Sequence, residues 1–299
     1  MSFSIFLQHL ANGISLGSLY ALLAIGYTMV YGILRLINFA HGEIFMVGAY
    51  IAFYLMTASF LALPWWLAAL IAIAATILFG ILVEKFAYSP LRDQPRISVM
   101  ISAIGASFLI QNLGIVIFGG RPKAFPVPDI FSQIWKIGGV SIVSITFYIP
   151  IITLILLTIL LYIVNKTKTG MAMRAVSKDY EAARLMGISV DNIISFTFAI
   201  GSALACFGGI MWGFKYPQLL PVMGLIPGLK CFIAAVVGGI GDIKGAVLGG
   251  FLLGLMEILI VAFFPALTGY RDAFAFILLI VILLVKPTGL MGQNLTEKV

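Results

Sequence analysis

The sequence predicts an all-α protein that crosses a membrane eight or nine times, and three observations carry that prediction. The 299 residues are 62% hydrophobic and only 10% charged, against roughly 45 to 50% apolar and about 25% charged in soluble domains. Mean hydropathy is +1.14, so too few polar groups exist to coat a core of this size with a solvated surface. The apolar residues also fall into long charge-free runs, with Lys and Arg gathered in the loops between them.

A spanning helix needs about 20 mostly apolar residues. Residues 10 to 34 supply the first, and the charge-free stretch 44 to 83 is long enough for two, hinged at Pro64, Trp65 and Trp66, whose indoles suit an interface. Runs 97 to 120, 137 to 165 and 192 to 214 follow, then 246 to 264, interrupted only by Glu257, and a last run at 273 to 285. Pro217, Pro221, Pro227 and the pair Gly238 and Gly239 break the segment 216 to 241, which reads as a short or re-entrant span. No Lys or Arg precedes Arg35, so the N-terminal segment reads as a retained span and not as a secretory signal.

Basic loops set the orientation. Lys85, Arg92 and Arg96 lie in 84 to 96, and Lys166, Lys168, Arg174, Lys178 and Arg184 lie in 165 to 191. Both loops belong on the cytoplasmic side, and the two spans between them return the chain to the same face. The loop with Arg121, Lys123 and Lys136 then lies outside, as does the N-terminus, while Lys286 and the tail lie inside if nine spans are real. Every loop is short, so residues 1 to 299 read as one transmembrane domain whose energy source and soluble receptor are other chains. The net charge of +7 follows from this loop bias. No loop carries the dense basic and aromatic run that nucleic acid requires, so membrane lipid is the expected surroundings and nucleic acid is not an expected partner.

The loop 165 to 191 is the most informative. Ser177 is placed to cap a helix, Asp179 and Glu181 fall in its first turn, and Gly187 closes it in a left-handed conformation. Met173, Val176, Tyr180, Ala183 and Gly187 recur at helical spacing, giving an apolar face outside the bilayer. Such a face either lies on lipid headgroups or fits a groove on a soluble partner.

Glu181-Ala182-Ala183 followed by Gly187 is similar to the EAA-x-x-x-G loop of ABC import permeases, although the later Ile-x-Leu-Pro part is replaced here by Thr197, Phe198 and Ala199. Three further segments extend the likeness along the whole chain: Ile37-Asn-Phe-Ala-His-Gly-Glu43, Gly238-Gly-Ile-Gly-Asp-Ile-Lys-Gly-Ala-Val-Leu-Gly-Gly250 and Lys286-Pro-Thr-Gly-Leu-Met-Gly292. Together they resemble the branched-chain amino acid ABC permease family, and the length resembles its shorter, LivH-like subunit. The resemblance implies a multi-pass permease of the bacterial cytoplasmic (inner) membrane, working with a second homologous permease subunit. It also implies two ATPase subunits that bind ATP and Mg, and a periplasmic or lipid-anchored solute-binding protein. Tyr180, Glu181, Ala182, Ala183 and Gly187 would then form the ATPase-coupling loop. Urea and short-chain amide permeases share these motifs and remain an alternative.

Polar residues at membrane depth supply the pathway candidates: Asn38, His41, Glu43, Gln111, Asn112 and Glu257. Glu257 is either a lining group or half of a structural pair, since an ionised carboxylate there costs at least about 2.5 kcal/mol. Gln111 and Asn112 either line the pore or bond between helices. Asn38, His41 and Glu43 flank Gly42 where the first two spans meet, and a broken helix lining a cavity is the expected arrangement. His41 and Glu43 lack a third ligand, so no metal is expected. An intramembrane acid–base enzyme fails for want of a nucleophile. An ion-coupled carrier, with Glu257 holding the driving cation, is the rival within transport.

Gly241, Gly245, Gly249, Gly250 and Gly254 contain small-xxx-small pairs expected to bring helices close. Lys244 stands in Ile-Lys-Gly-Ala and lacks the GK[ST] ending of a phosphate-binding loop, so no nucleotide cofactor is expected in this chain. Cys206 and Cys231 lie in apolar runs without metal spacing and read as small core residues.

Overall fold

In this computed structural model, residues 3–292 are described except 60, 93 and 138. The chain runs α1 (Phe3–Leu34), α2 (His41–Thr57), α3 (Trp65–Val83), a π turn (Glu84–Tyr88), a 3-10 turn (Ser89–Leu91) and α4 (Arg96–Phe118). Next come β1 (Lys123–Ala124), α5 (Asp129–Ser132), β2 (Ile134–Ile137), β3 (Val140–Val143), α6 (Ile145–Lys166), α7 (Lys168–Lys178) and α8 (Tyr180–Leu185). The last part holds α9 (Val190–Lys215), β4 (Gln218–Leu219), α10 (Leu225–Gly238), α11 (Ile243–Phe263), a 3-10 turn (Pro265–Tyr270) and α12 (Arg271–Val285).

Among the described residues, seven helices are long and apolar enough to cross a membrane. The 17 residues of α2 and 14 of α10 span only about 25 and 21 Å at 1.5 Å per residue, short of the roughly 30 Å hydrocarbon layer. Each follows non-helical chain, at 35–40 before α2 and at 216–224 before α10, where β4 pairs with β1.

The first helix sits in the middle. It is apolar on every side, the pattern of a helix with no lipid face, and its small residues from Gly13 to Gly26 let α6, α9, α10 and α11 close around it. The tightest approach is with α11, where a methyl group on Gly254 would lie 2.2 Å from Gly17 N and one on Gly250 would lie 2.4 Å from Ala21 N. On its other side α11 presses Gly249 against the Ala234 carbonyl of α10. Gly241 does not share this packing as the sequence spacing implies. It precedes α11 in a turn at φ +96, and the nearest atom to a side chain there is 4.0 Å away.

The two basic loops meet at one end of the bundle, as their parity requires. Arg92 pairs with Glu84 at 2.7 Å and with Asp191 at the start of α9, and Arg35 reaches the Ser177 carbonyl. The tail folds back at the same end, where Leu290 and Met291 donate to the Val237 and Gly238 carbonyls and satisfy the last turn of α10.

Two sequence expectations change. The run 137 to 165 is not helical throughout: Val140–Val143 pairs with Ile134–Ile137 as a hairpin, because Gly139 at φ +82 turns the chain and β-branched residues follow. The loop 165 to 191 is two helices, and Ser177 does not cap the second. Asp179 Oδ1 accepts from Glu181 N at 2.9 Å and Ala182 N at 3.0 Å, since its extended backbone breaks the chain, while Ser177 bonds back to the Arg174 carbonyl.

Candidate functional site

Two features stand out, an exposed corner on the loop and a cavity at mid-depth. At the loop, the expected apolar face points inward. Met173, Val176 and Ala183 are buried in this chain's own core, and Tyr180 donates its hydroxyl to the Ile33 carbonyl at the end of α1. Burial pushes the Tyr180 phenol up from its ordinary value, offset in part by the nearby Arg92 and Arg35 cations, so it stays a neutral donor. Glu181, Ala182 and Gly187 remain exposed.

Among the apolar groups the loop offers to the outside, where Met171 is 62% exposed, the barest are Leu185 and Met186, 89% and 81% exposed. Helical spacing did not single them out because they sit at the end of α8, where the chain leaves the helix through Gly187 at φ +78. Gly187 N bonds the Arg184 carbonyl and Ile188 N the Ala183 carbonyl, which closes the turn at the end of α8.

At mid-depth the starts of α2 and α10 abut: a methyl group on Gly42 would lie 2.5 Å from the Gly224 carbonyl oxygen. Beside this contact is a cavity of about 130 Å³ between α2, α4 and α10, lined among others by Tyr27, Phe39, Glu43, Gln111 and Phe232. Glu43 is 2% exposed, and its Oε2 has no hydrogen-bond partner among the described residues.

Of the six pathway candidates, only Glu43 and Gln111 share this cavity. Residues two apart on a helix point about 200° from one another, so His41 faces away from Glu43. Its ring fills the space that Gly26 leaves open and meets Tyr27 edge-on at 4.7 Å. Asn38 accepts from the Tyr88 hydroxyl at 2.9 Å, fixing the bend between α1 and α2. Asn112 is exposed and bonds the Phe108 carbonyl of its own helix, not a neighbouring helix.

Glu257 lies in a separate buried cluster. It accepts from Lys230 at 2.8 Å, Tyr20 at 2.8 Å and Arg271, and Lys230 also meets Asp272. Lys230 and Arg271 were missed in the sequence. The cost of a carboxylate at that depth was the signal to search neighbouring spans for its cations.

A family described as the permease component of branched-chain amino acid transport systems matches residues 9–283. The permease LivH of the high-affinity branched-chain amino acid transport system from Salmonella typhimurium, like that from Escherichia coli, is 41% identical over 308 residues, covering 99% of both chains. The corresponding BraD protein of Pseudomonas aeruginosa is 42% identical, covering 98% of both. An autoinducer 2 import permease, LsrC of Yersinia enterocolitica, is 28% identical over 78% of this chain and 62% of its own. With a bundle built for lipid and a match along nearly its whole length, the chain belongs to the family of branched-chain amino acid transport permeases.

Proposed function

We propose that this chain is the membrane-spanning subunit of an ATP-driven importer that carries branched-chain amino acids across the bacterial inner membrane. It works beside a second permease subunit, receives its cargo from an external binding protein, and is moved by two ATPase subunits that hold ATP and Mg. The observation that carries this reading is the exposed pair Leu185 and Met186 on a loop whose Met173, Val176 and Ala183 are buried in the chain itself. A corner with two bare apolar side chains fits a groove on a soluble partner.

Force applied there has defined routes into the bundle. Tyr180 and Arg35 tie the loop to the end of α1, and Arg92 ties the start of α9 to the loop before α4. A push on Leu185 therefore moves helix ends that border α2 and α4, the walls of the mid-depth cavity. Alternation between two rigid arrangements, each favoured by a different nucleotide state of the ATPase, couples the sites. The cavity holds cargo weakly, because equal tight binding to both arrangements would shift nothing. Against a cation-driven carrier, Glu257 already has Lys230, Tyr20 and Arg271 as partners.

The double substitution Leu185→Glu and Met186→Glu tests the docking role. It removes ATPase subunits from the purified complex while leaving this chain's thermal stability unchanged; normal co-purification of the ATPase would contradict the reading.

A further inference from the structure

We infer that the cavity between α2, α4 and α10 is the transient holding site for the amino acid zwitterion, with the Glu43 carboxylate as the partner of the α-ammonium group. The inference deepens, and rests on, the reading of this chain as a branched-chain amino acid permease.

Three observations converge on it. The first is the state of Glu43. Its side chain is 2% exposed, lines the cavity, and leaves Oε2 with no partner among the described residues. The other buried carboxylates are treated differently: Glu84 has Arg92 and Ser195, and Glu257 has Lys230, Arg271 and Tyr20. A buried carboxylate that lines a cavity and keeps one oxygen unpaired is matched by a donor that arrives and leaves, and an ammonium group brings both charge and N–H bonds.

The second is the polarity of the surroundings. α2 and α10 both begin at this depth and abut through Gly42 and Gly224, so two positive helix ends face the same region. Ser107 and Gln111 of α4 add a hydroxyl and an amide to the lining. These groups suit the substrate carboxylate, which is separated from the ammonium by a single carbon. The third is the apolar remainder. Phe39, Phe108, Leu229 and Phe232 line the same space, and a branched aliphatic side chain fits among them without an unpaired polar group.

The arrangement explains passage as well as contact. One charge-assisted bond to Glu43 and a few neutral donors let the zwitterion enter a dry region, yet leave it free to depart when the walls move.

The test uses the whole complex in proteoliposomes, with its second permease, ATPases and leucine-loaded binding protein. Wild-type complex that fails to take up leucine would sink the underlying reading of cargo, separately from this inference. In complexes assembled with wild-type stoichiometry, Glu43→Gln lowers the maximal uptake rate at least about tenfold, the scale of one lost charge-assisted bond. Glu43→Asp retains more, and the half-saturating concentration of loaded binding protein does not move, because capture happens elsewhere. Uptake by Glu43→Gln within about twofold of a wild type that transports leucine overturns the proposal. Should Glu43→Gln fail to assemble, Ser107→Cys with Glu43 intact decides: saturating leucine slows alkylation of that cysteine if the cavity is the holding site. A rate indifferent to leucine overturns it.

Discussion

The Lys230 ammonium lies 2.8 Å from the buried carboxylate of Glu257, and this contact ties α10 to α11 in the interior of the bundle. Glu257 also accepts from Arg271 and Tyr20, and breaking a buried pair by removing one partner costs about 3 to 5 kcal/mol, reduced here because Lys230 keeps Asp272. Glu257→Leu is therefore expected to lower the thermal unfolding temperature sharply, and the double variant Lys230→Met with Glu257→Leu to recover part of the loss. Unfolding monitored in detergent checks both. A double variant as unstable as the sum of its singles would show that the pair is not coupled.

The contact between α1 and α11 is a second point of sensitivity. Gly254 and Gly250 each meet backbone closer than any side chain tolerates, so Gly254→Val is expected to prevent assembly of the folded protein. Gly105, inside α4, has no atom within 4 Å of an added methyl group, so Gly105→Ala is expected to raise stability by up to about 1 kcal/mol through helix propensity. Yield of monodisperse protein and unfolding temperature separate the two outcomes.

Asn38 accepts the Tyr88 hydroxyl in a buried setting, and Asn38→Leu leaves that hydroxyl unpaired at a cost of about 1 to 3 kcal/mol. Tyr88→Phe in the same background is expected to return much of it. Absence of any recovery in the unfolding temperature would mean that the bend between α1 and α2 is held by something else.

Gly187 closes the loop at φ +78 with open space around it. A side chain fits, but the left-handed backbone costs about 1 to 2 kcal/mol. Gly187→Arg is expected to leave the chain inserted in the membrane while uptake is lost, because the corner bearing Leu185 and Met186 changes shape. Membrane fractionation beside leucine uptake checks this, and normal uptake would remove the corner from the mechanism.

Much of this architecture was legible in residue order alone. Charge-free runs located the spans, because lipid tolerates few alternatives to an apolar helix, and loop charges gave the correct parity. The hairpin at 134–143 was hidden because Val140 to Val143 continue the hydropathy of the span that follows. Direction was the other blind spot. Helical spacing correctly found an apolar face on the loop, but Met173, Val176 and Ala183 turn it inward onto the chain itself. Periodicity reports that a face is apolar and says nothing about which neighbour covers it. Glu43 and Gln111 likewise became neighbours only when α2 and α4 were set side by side, whereas Asn112, one residue on, points elsewhere.

The most direct test of the account is leucine uptake by proteoliposomes containing this chain, its second permease and the loaded binding protein, measured with and without the ATPase subunits. The account predicts uptake only when the ATPases are present and hydrolysing ATP. Uptake at a comparable rate without them, driven by an ion gradient, would contradict it.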